Sequence, residues 1–268
     1  MFSGGIALGQ YIPADSFLHR LDPRCKILLT VAAMAVIFAC SSFPALALLG
    51  LLLPVIIRFS KVPARAVLSS ARPVLVLIVF TACLHLFWTS GRVIFQFGFI
   101  RITFEGCLLA LRMSLRLLYL VLYAGLLTLT TSPSELSDGL ESLMSPFSRF
   151  GLPAHEIAMM MSIALRFIPT LFEETERIIK SQKSRGADFD SGGLIKRAKA
   201  YIPVLIPLFV MVFQRADTLA SAMEARCYRG GRGRVRMYPL VWGRRENLAA
   251  AVFAAAAALL IVLDWSLF

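Results

Sequence analysis

The chain has 268 residues, of which 58% are hydrophobic, and a mean hydropathy of +0.74; this excludes an ordinary soluble domain, in which about half the residues are apolar. The net charge of +12, from 28 Lys+Arg against 16 Asp+Glu, would suggest nucleic acid in a soluble protein. Beside long apolar segments it reports cytoplasmic loops instead, so the expected surroundings are a lipid bilayer and no nucleic acid.

In chain order, the N-terminus is mixed and the first apolar run begins only at Ile27, so no cleavable signal peptide is expected. No charge interrupts Ile27 to Ile57, 31 residues that as one helix would be about 46 Å long, against a hydrocarbon core of about 30 Å. Ser41-Ser42-Phe43-Pro44 divides the run into two short spans, Ile27 to Cys40 and Phe43 to Ile57. A third span covers Pro73 to Trp88. Gly91 to Gly106 mixes glycine, aromatic and β-branched residues, the composition of a short amphipathic hairpin or loop at an interface. The fourth span is Gly106 to Thr131, and the last, alanine-rich and suited to close helix packing, is Leu248 to Leu263. The fold class is therefore all-α: a polytopic membrane helix bundle of about five spans with a large cytoplasmic domain. Its segments are 1–131 (N-terminal segment and four spans), 132–246 (cytoplasmic) and 247–268 (last span).

Lys and Arg set the orientation. Three precede the first span (Arg20, Arg24, Lys26), four lie between the second and third (Arg58, Lys61, Arg65, Arg72), and seventeen fall in 132–246; the opposite side has Arg92 and Arg101. The N-terminus is thus expected in the cytoplasm and the C-terminal Trp265 to Phe268 outside. Arg112 and Arg116 share a face of the fourth span; they either snorkel and pack, or face the bundle and bind something.

The insert opens at Ser132-Pro133-Ser134-Glu135, a helix start with proline and acid in the first turn, giving a helix through Met144. After Pro146 and Gly151-Leu152-Pro153, a long helix runs from His155 to Arg185 with Ala158, Met161, Leu165, Ile168 and Phe172 on one stripe and a bend at Pro169. Its second half turns acidic and then basic before Gly186 stops it. Beyond Asp190-Ser191-Gly192-Gly193 a second long helix carries Leu205, Phe209, Val212, Ala216, Leu219 and Met223 and ends near Arg226, its start bent or delayed by Pro203 and Pro207. At an offset of 41 the two helices align without gaps: Phe172 with Phe213, Glu176 with Asp217, and Ser184-Arg185-Gly186 with Ala225-Arg226-Cys227. An arginine between small residues can enter a partner's groove and fork onto a carboxylate or carbonyls. The same arginines are also suited to ordinary helix C-terminal cations or to anionic lipid. The following run Arg229 to Arg236, with Arg244-Arg245, reads as a cytoplasmic anchor.

No site for chemistry emerges. Cys25, Cys40, Cys83, Cys107 and Cys227 include no CxxC pair, and His19, His85 and His155 lie far apart, so neither a metal nor a catalytic cluster is expected. His85 reads as a packed residue. There is no Walker motif, and no cofactor is expected.

The residues that carry a family resemblance are Gln10-Tyr11-Ile12-Pro13, His19-Arg20-Leu21-Asp22-Pro23-Arg24, Thr130-Thr131-Ser132-Pro133 and Ala164-Leu165-Arg166-Phe167-Ile168-Pro169. With them stand Ser184-Arg185-Gly186-Ala187 and Met223-Glu224-Ala225-Arg226. Across nearly its whole length the chain resembles the transmembrane coupling subunit of energy-coupling factor importers, the EcfT/CbiQ family, whose paired Ala-Arg-Gly motifs fall at the last two places. The resemblance implies a multi-pass protein of a bacterial or archaeal cell membrane, not itself an enzyme. It implies two coupling helices, each docking one of two ATP-binding-cassette ATPases through Ser184, Arg185, Gly186 and Ala225, Arg226, Cys227. Membrane helices would hold a substrate-binding S component that topples to release a vitamin or metal inside. Cys227 stands where the family has glycine, with loss of the φ > 0 option there, and Ser184 where it has alanine. Gly9-Gln10-Tyr11-Ile12-Pro13 looks more like the branch that serves several S components than the dedicated cobalt or nickel branch. A classical importer permease and an intramembrane enzyme are the rival readings; the doubled arginine helices oppose the first, and the lack of convergent catalytic groups the second.

Overall fold

The structure is a computed structural model that describes residues 11–97, 100–151, 153–189, 191–230 and 240–266. Gly9, Gln10, Gly98, Phe99, Leu152, Asp190, the 231–239 part of the basic run and residues 267–268 lie outside the described residues. Among the described residues the chain is all-α apart from one hairpin, and it divides into two compact units, Met1–Leu143 with Tyr238–Phe268, and Met144–Met237.

In the first unit, α1 (Pro23–Ala39) begins four residues before the expected Ile27 because Asp22 caps it: the carboxylate accepts from Arg24 N–H at 2.9 Å, and Pro23 occupies the first turn. After the Ser41-Ser42 turn comes α2 (Phe43–Ser60). The third span is longer than Pro73 to Trp88, since α3 (Ala64–Ser70), a 3-10 turn at Arg72–Val74 and α4 (Leu75–Trp88) run on through Pro73. The expected interfacial hairpin is present: β1 (Val93–Phe97) pairs antiparallel with β2 (Ile100–Thr103), Gln96 opposite Arg101, with an irregularity between Val93 and Phe95. Thr103 then caps α5 (Phe104–Thr130), its hydroxyl accepting from Gly106 N–H at 3.1 Å.

The start of α6 (Pro133–Met144) is a reciprocal capping box: Glu135 N–H donates to Ser132 Oγ and Ser132 N–H to a Glu135 carboxylate oxygen, each at 3.3 Å. At the other end of the chain, α10 (Arg244–Ser266) packs on α1 and α2. The core brings together Ile37, Leu46, Leu49, Val67, Leu122, Leu126, Leu129 and Leu260. Around it, Val76, Val79, Phe80 and Phe87 of α4 and Leu248, Val252 and Val262 of α10 remain exposed, a surface that a bilayer covers and water would not.

Among the described residues, six helices are long and apolar enough to cross a membrane: α2, Ala64–Trp88, α5, α7 (Ala154–Ser184), α9 (Ile202–Ala225) and α10. The set differs from the expected five in two ways. At 17 residues α1 is short for a span, and the two long helices of the insert qualify because their N-terminal halves are apolar. Of the six, α7 is the least apolar, its best window having a mean hydropathy of 1.2 against 2.3 for α10.

The second unit consists of a 3-10 segment at Ser145–Phe150, α7, α8 (Leu194–Ala200) and α9. Helices α7 and α9 pack on each other. Pro169 lies inside α7 and Pro207 inside α9, while α8 is a separate turn-rich prelude that ends where Pro203 starts α9.

Candidate functional site

The two arginine motifs end their helices with the same backbone. Arg185 has φ −88° and ψ 7°, and Arg226 has φ −91° and ψ 15°. The next residue is left-handed in both, Gly186 at φ +88° and Cys227 at φ +56°. Gly186 N–H donates to Lys183 O at 3.0 Å and Ala187 N–H to Gln182 O at 3.0 Å; Cys227 N–H donates to Glu224 O at 2.9 Å and Tyr228 N–H to Met223 O at 3.0 Å. These are two Schellman ends, related bond for bond by the 41-residue offset. The expectation that Cys227 forgoes positive φ is overturned. The closing bond from Tyr228 requires the left-handed turn, and cysteine adopts it at a conformational cost of roughly 1 kcal/mol that glycine would not carry.

Ser184, Arg185, Gly186, Ala225, Arg226 and Cys227 are all exposed, and a Cβ at Gly186 would meet nothing within 4 Å. Each motif thus presents a guanidinium beside a nearly bare turn. Beyond the first, the chain folds back: Phe189, 5% exposed, stacks tilted on Tyr201 with centroids 5.0 Å apart, and Lys183 Nζ lies 6.0 Å from the Phe189 ring. This ties the end of α7 to the start of α9. Where the helices cross, Arg215 Nη2 donates to Glu174 Oε1 at 3.3 Å. These two residues occupy the same position of the 41-residue repeat. Their opposite charge at equivalent places was the available signal for the pair, which pattern reading by stripe alone missed.

In the first unit the motif residues near the N-terminus build a staple. Ile12 N–H donates to Leu129 O at 3.1 Å. Lys26, 6% exposed, donates from Nζ to His19 O at 2.9 Å and Thr130 O at 3.1 Å. His19 Nε2 donates to Ile12 O at 3.1 Å, which leaves Nδ1 to accept the Ser16 hydroxyl at 2.7 Å. Burial is the main cause that lowers the His19 pKa; nearby Lys26 acts the same way, and the Ile12 bond and the carboxylates of Glu135 and Asp15 act against it. Beside this staple, Glu246 accepts from Asp22 N–H at 3.3 Å, and Arg24 Nη2 donates to Leu240 O at 2.9 Å, fastening the base of α10 to that of α1.

At the opposite end of the bundle Arg112 and Arg116 prove to be packing residues. Arg116 Nη2 donates to Cys40 O at 2.6 Å, and the Arg112 guanidinium lies 5.1 Å from the Phe43 ring centroid. Asp264 accepts from Ser41 N–H at 3.0 Å and Ser42 N–H at 2.6 Å. Together the three side chains clamp the α1–α2 turn. His85 is half-buried in α4. Among the described residues no group of three His, Cys, Asp or Glu is placed to hold a metal ion.

The architecture is that of a multi-pass helical membrane protein with two matched, arginine-tipped helices. Residues 14–238 match the family model CbiQ, described as cobalt transport protein. The chain is 54% identical over 97% of its length, and 96% of the relative's, to the energy-coupling factor transporter transmembrane protein EcfT of Thermanaerovibrio acidaminovorans. It is 48% identical to the protein of that name from Ruminiclostridium cellulolyticum over 98% of both chains, and 43% identical to that of Bacillus subtilis over 96% of this chain and 97% of the relative. The chain belongs to the EcfT/CbiQ family, the T components of energy-coupling factor transporters.

Proposed function

We propose that the chain couples two ATP-binding-cassette ATPases to a substrate-binding S component, and so drives uptake of a vitamin or similar micronutrient. The observation that carries this reading is the equivalence of the two helix ends. Duplicate Schellman turns with exposed Arg185 and Arg226 suit two copies of one kind of partner, each offering a groove with a carboxylate or free carbonyls to a planar guanidinium. The Glu174–Arg215 contact at the crossing lets a displacement of one helix end be felt by the other helix. Exposed Ile206, Phe209, Val210 and Phe213 on α9 form an apolar face that a membrane partner such as the S component would cover.

The N-terminus lies in the cytoplasm in this reading. The Lys26–Thr130 and Asp22–Glu246 contacts join the basic ends of α1, α5 and α10, Arg58 and Lys61 at the end of α2 line one cleft with Arg20 and Arg245, and excess Lys and Arg marks the cytoplasmic face. Helices α7 and α9 belong to the cytoplasmic coupling domain of 132–246, their apolar stripes serving helix and partner contacts rather than lipid. ATP hydrolysis is the work of the ATPases.

The test is charge reversal at both tips. Arg185→Glu with Arg226→Glu should abolish co-purification of the ATPases and substrate uptake while the chain still reaches the membrane, and each single variant should retain part of both. Unchanged co-purification and uptake in the double variant would refute the docking role.

A further inference from the structure

The coupling role leaves a basic cleft of the first unit unexplained. About 480 Å³ in volume, it is lined by Asp15, Phe17, Arg20, Arg58, Phe59, Lys61 and Arg245, with Ser16 at its floor. Its walls come from the segment before α1, the C-terminal turn of α2 and the first turn of α10, so it opens at the water boundary of helices long enough to span the bilayer. Asp15 is committed to Arg20 through two hydrogen bonds of 2.6 Å. Among the described residues, Arg58, Lys61 and Arg245 make no ion pair. Lys61 is held in the left-handed conformation at φ +55° as the C-cap of α2, which fixes the direction in which its side chain leaves the helix end. Two aromatic rings, Phe17 at 40% and Phe59 at 63% exposure, line the same cleft as the cations.

We propose that this cleft binds the phosphate headgroup of an anionic phospholipid, with Arg58, Lys61 and Arg245 on the phosphate and Phe17 and Phe59 against the glycerol and upper acyl region. The chemistry is that of a phosphodiester beside apolar surface: Arg58, Lys61 and Arg245 line one cleft where the nearest carboxylates, Asp15 beside Lys61 and Glu246 beside Arg245, are already bonded to Arg20 and to backbone N–H groups, and the rings favour a ligand with a greasy end over a free ion. A phospholipid in this position would fasten the ends of α2 and α10 to the N-terminal segment, on the face where the orientation proposed above places anionic lipid.

The experiment is native mass spectrometry of the purified complex with phosphatidylglycerol or phosphatidylcholine added in detergent, for the wild type and for Arg58→Gln, Lys61→Gln and Arg245→Gln, singly and together. Each substitution should weaken phosphatidylglycerol binding about fivefold and the triple variant about a hundredfold. Phosphatidylcholine binding and binding to an Arg65→Gln variant, an exposed cation outside the cleft, should be unaffected. Millimolar inorganic phosphate should not displace the lipid. Equal loss in Arg65→Gln would reduce the effect to general surface charge, and displacement by inorganic phosphate would assign the cleft to a soluble anion. Unchanged lipid binding in the triple variant, with or without loss of ATPase co-purification, would overturn the proposal; the accompanying loss would mark the cleft as a protein contact. Because the readout is lipid binding, failure here is distinguishable from failure of the coupling reading.

Discussion

Cys227 carries the most informative backbone angle in the protein. Its φ of +56° belongs to the region where a Cβ crowds the following carbonyl, yet the Tyr228–Met223 bond holds it there. Cys227→Gly should therefore keep the turn and raise stability by about 1 kcal/mol. Cys227→Val should distort the turn, because β-branched residues avoid left-handed backbone, and ATPase co-purification of the two variants measures the difference. His19 is the titrating counterpart. Its folded pKa lies below the ordinary value of 6.5, so the unfolded chain binds the proton more readily. Its stability contribution is complete above about pH 6.5 and is lost as pH falls through the folded value. Protonation would also turn Nδ1 from acceptor into donor toward the Ser16 hydroxyl. Thermal unfolding between pH 5 and 8 should steepen on the acid side for the wild type, and a His19→Gln variant should show a flatter profile.

Among the elements, the α1–α2 hairpin depends on a residue more than 220 positions away. Two consecutive N–H groups at the start of α2 have no helical acceptor, and Asp264 near the end of α10 supplies it. Arg116 meanwhile satisfies the last carbonyl beyond α1. Asp264→Ala should cost about 1–2 kcal/mol, the usual range for a lost N-terminal cap, and Asp264→Asn distinctly less because an amide oxygen can still accept. Chemical unfolding of the purified protein in detergent checks the ranking. Capping is local at α1, α5 and α6, where Asp22, Thr103 and Ser132 sit beside the helices they start; at α2 it is tertiary.

For the molecule as a whole, the side of the bilayer on which α7 and α9 lie decides what their arginine ends can meet. Helices α7 and α9 satisfy length and composition, but their ends are charged and α7 is polar through its second half. If both stay on the cytoplasmic face, the loop between them does too. In a background with the native cysteines replaced, a membrane-impermeant thiol reagent applied to intact cells should label Ser90→Cys, beside the β-hairpin, and spare Ser191→Cys. Labelling of Ser191→Cys from outside would place α7 across the membrane and remove its end from reach of any cytoplasmic ATPase.

Much of this protein is written in local chemistry. Long uncharged runs determine that it is helical and membrane-embedded, since a bilayer tolerates only backbone that satisfies itself. Lys and Arg placement indicates a single basic face, and Gly186, Ser132-Pro133 and Asp22-Pro23 mark helix ends because capping acts within one turn. What the tertiary structure decided are the long-range partners. It placed Arg112 and Arg116, which the sequence left between packing and binding, against the α1–α2 turn and showed that Lys26 and His19 staple the N-terminal segment. It gave Cys227 the turn expected only of glycine, and it brought Glu174 against its repeat-mate Arg215. The Lys26–Thr130, Arg116–Cys40 and Glu174–Arg215 contacts join residues tens of positions or more apart, and periodicity carries no record of which distant carbonyl or carboxylate a buried donor will meet.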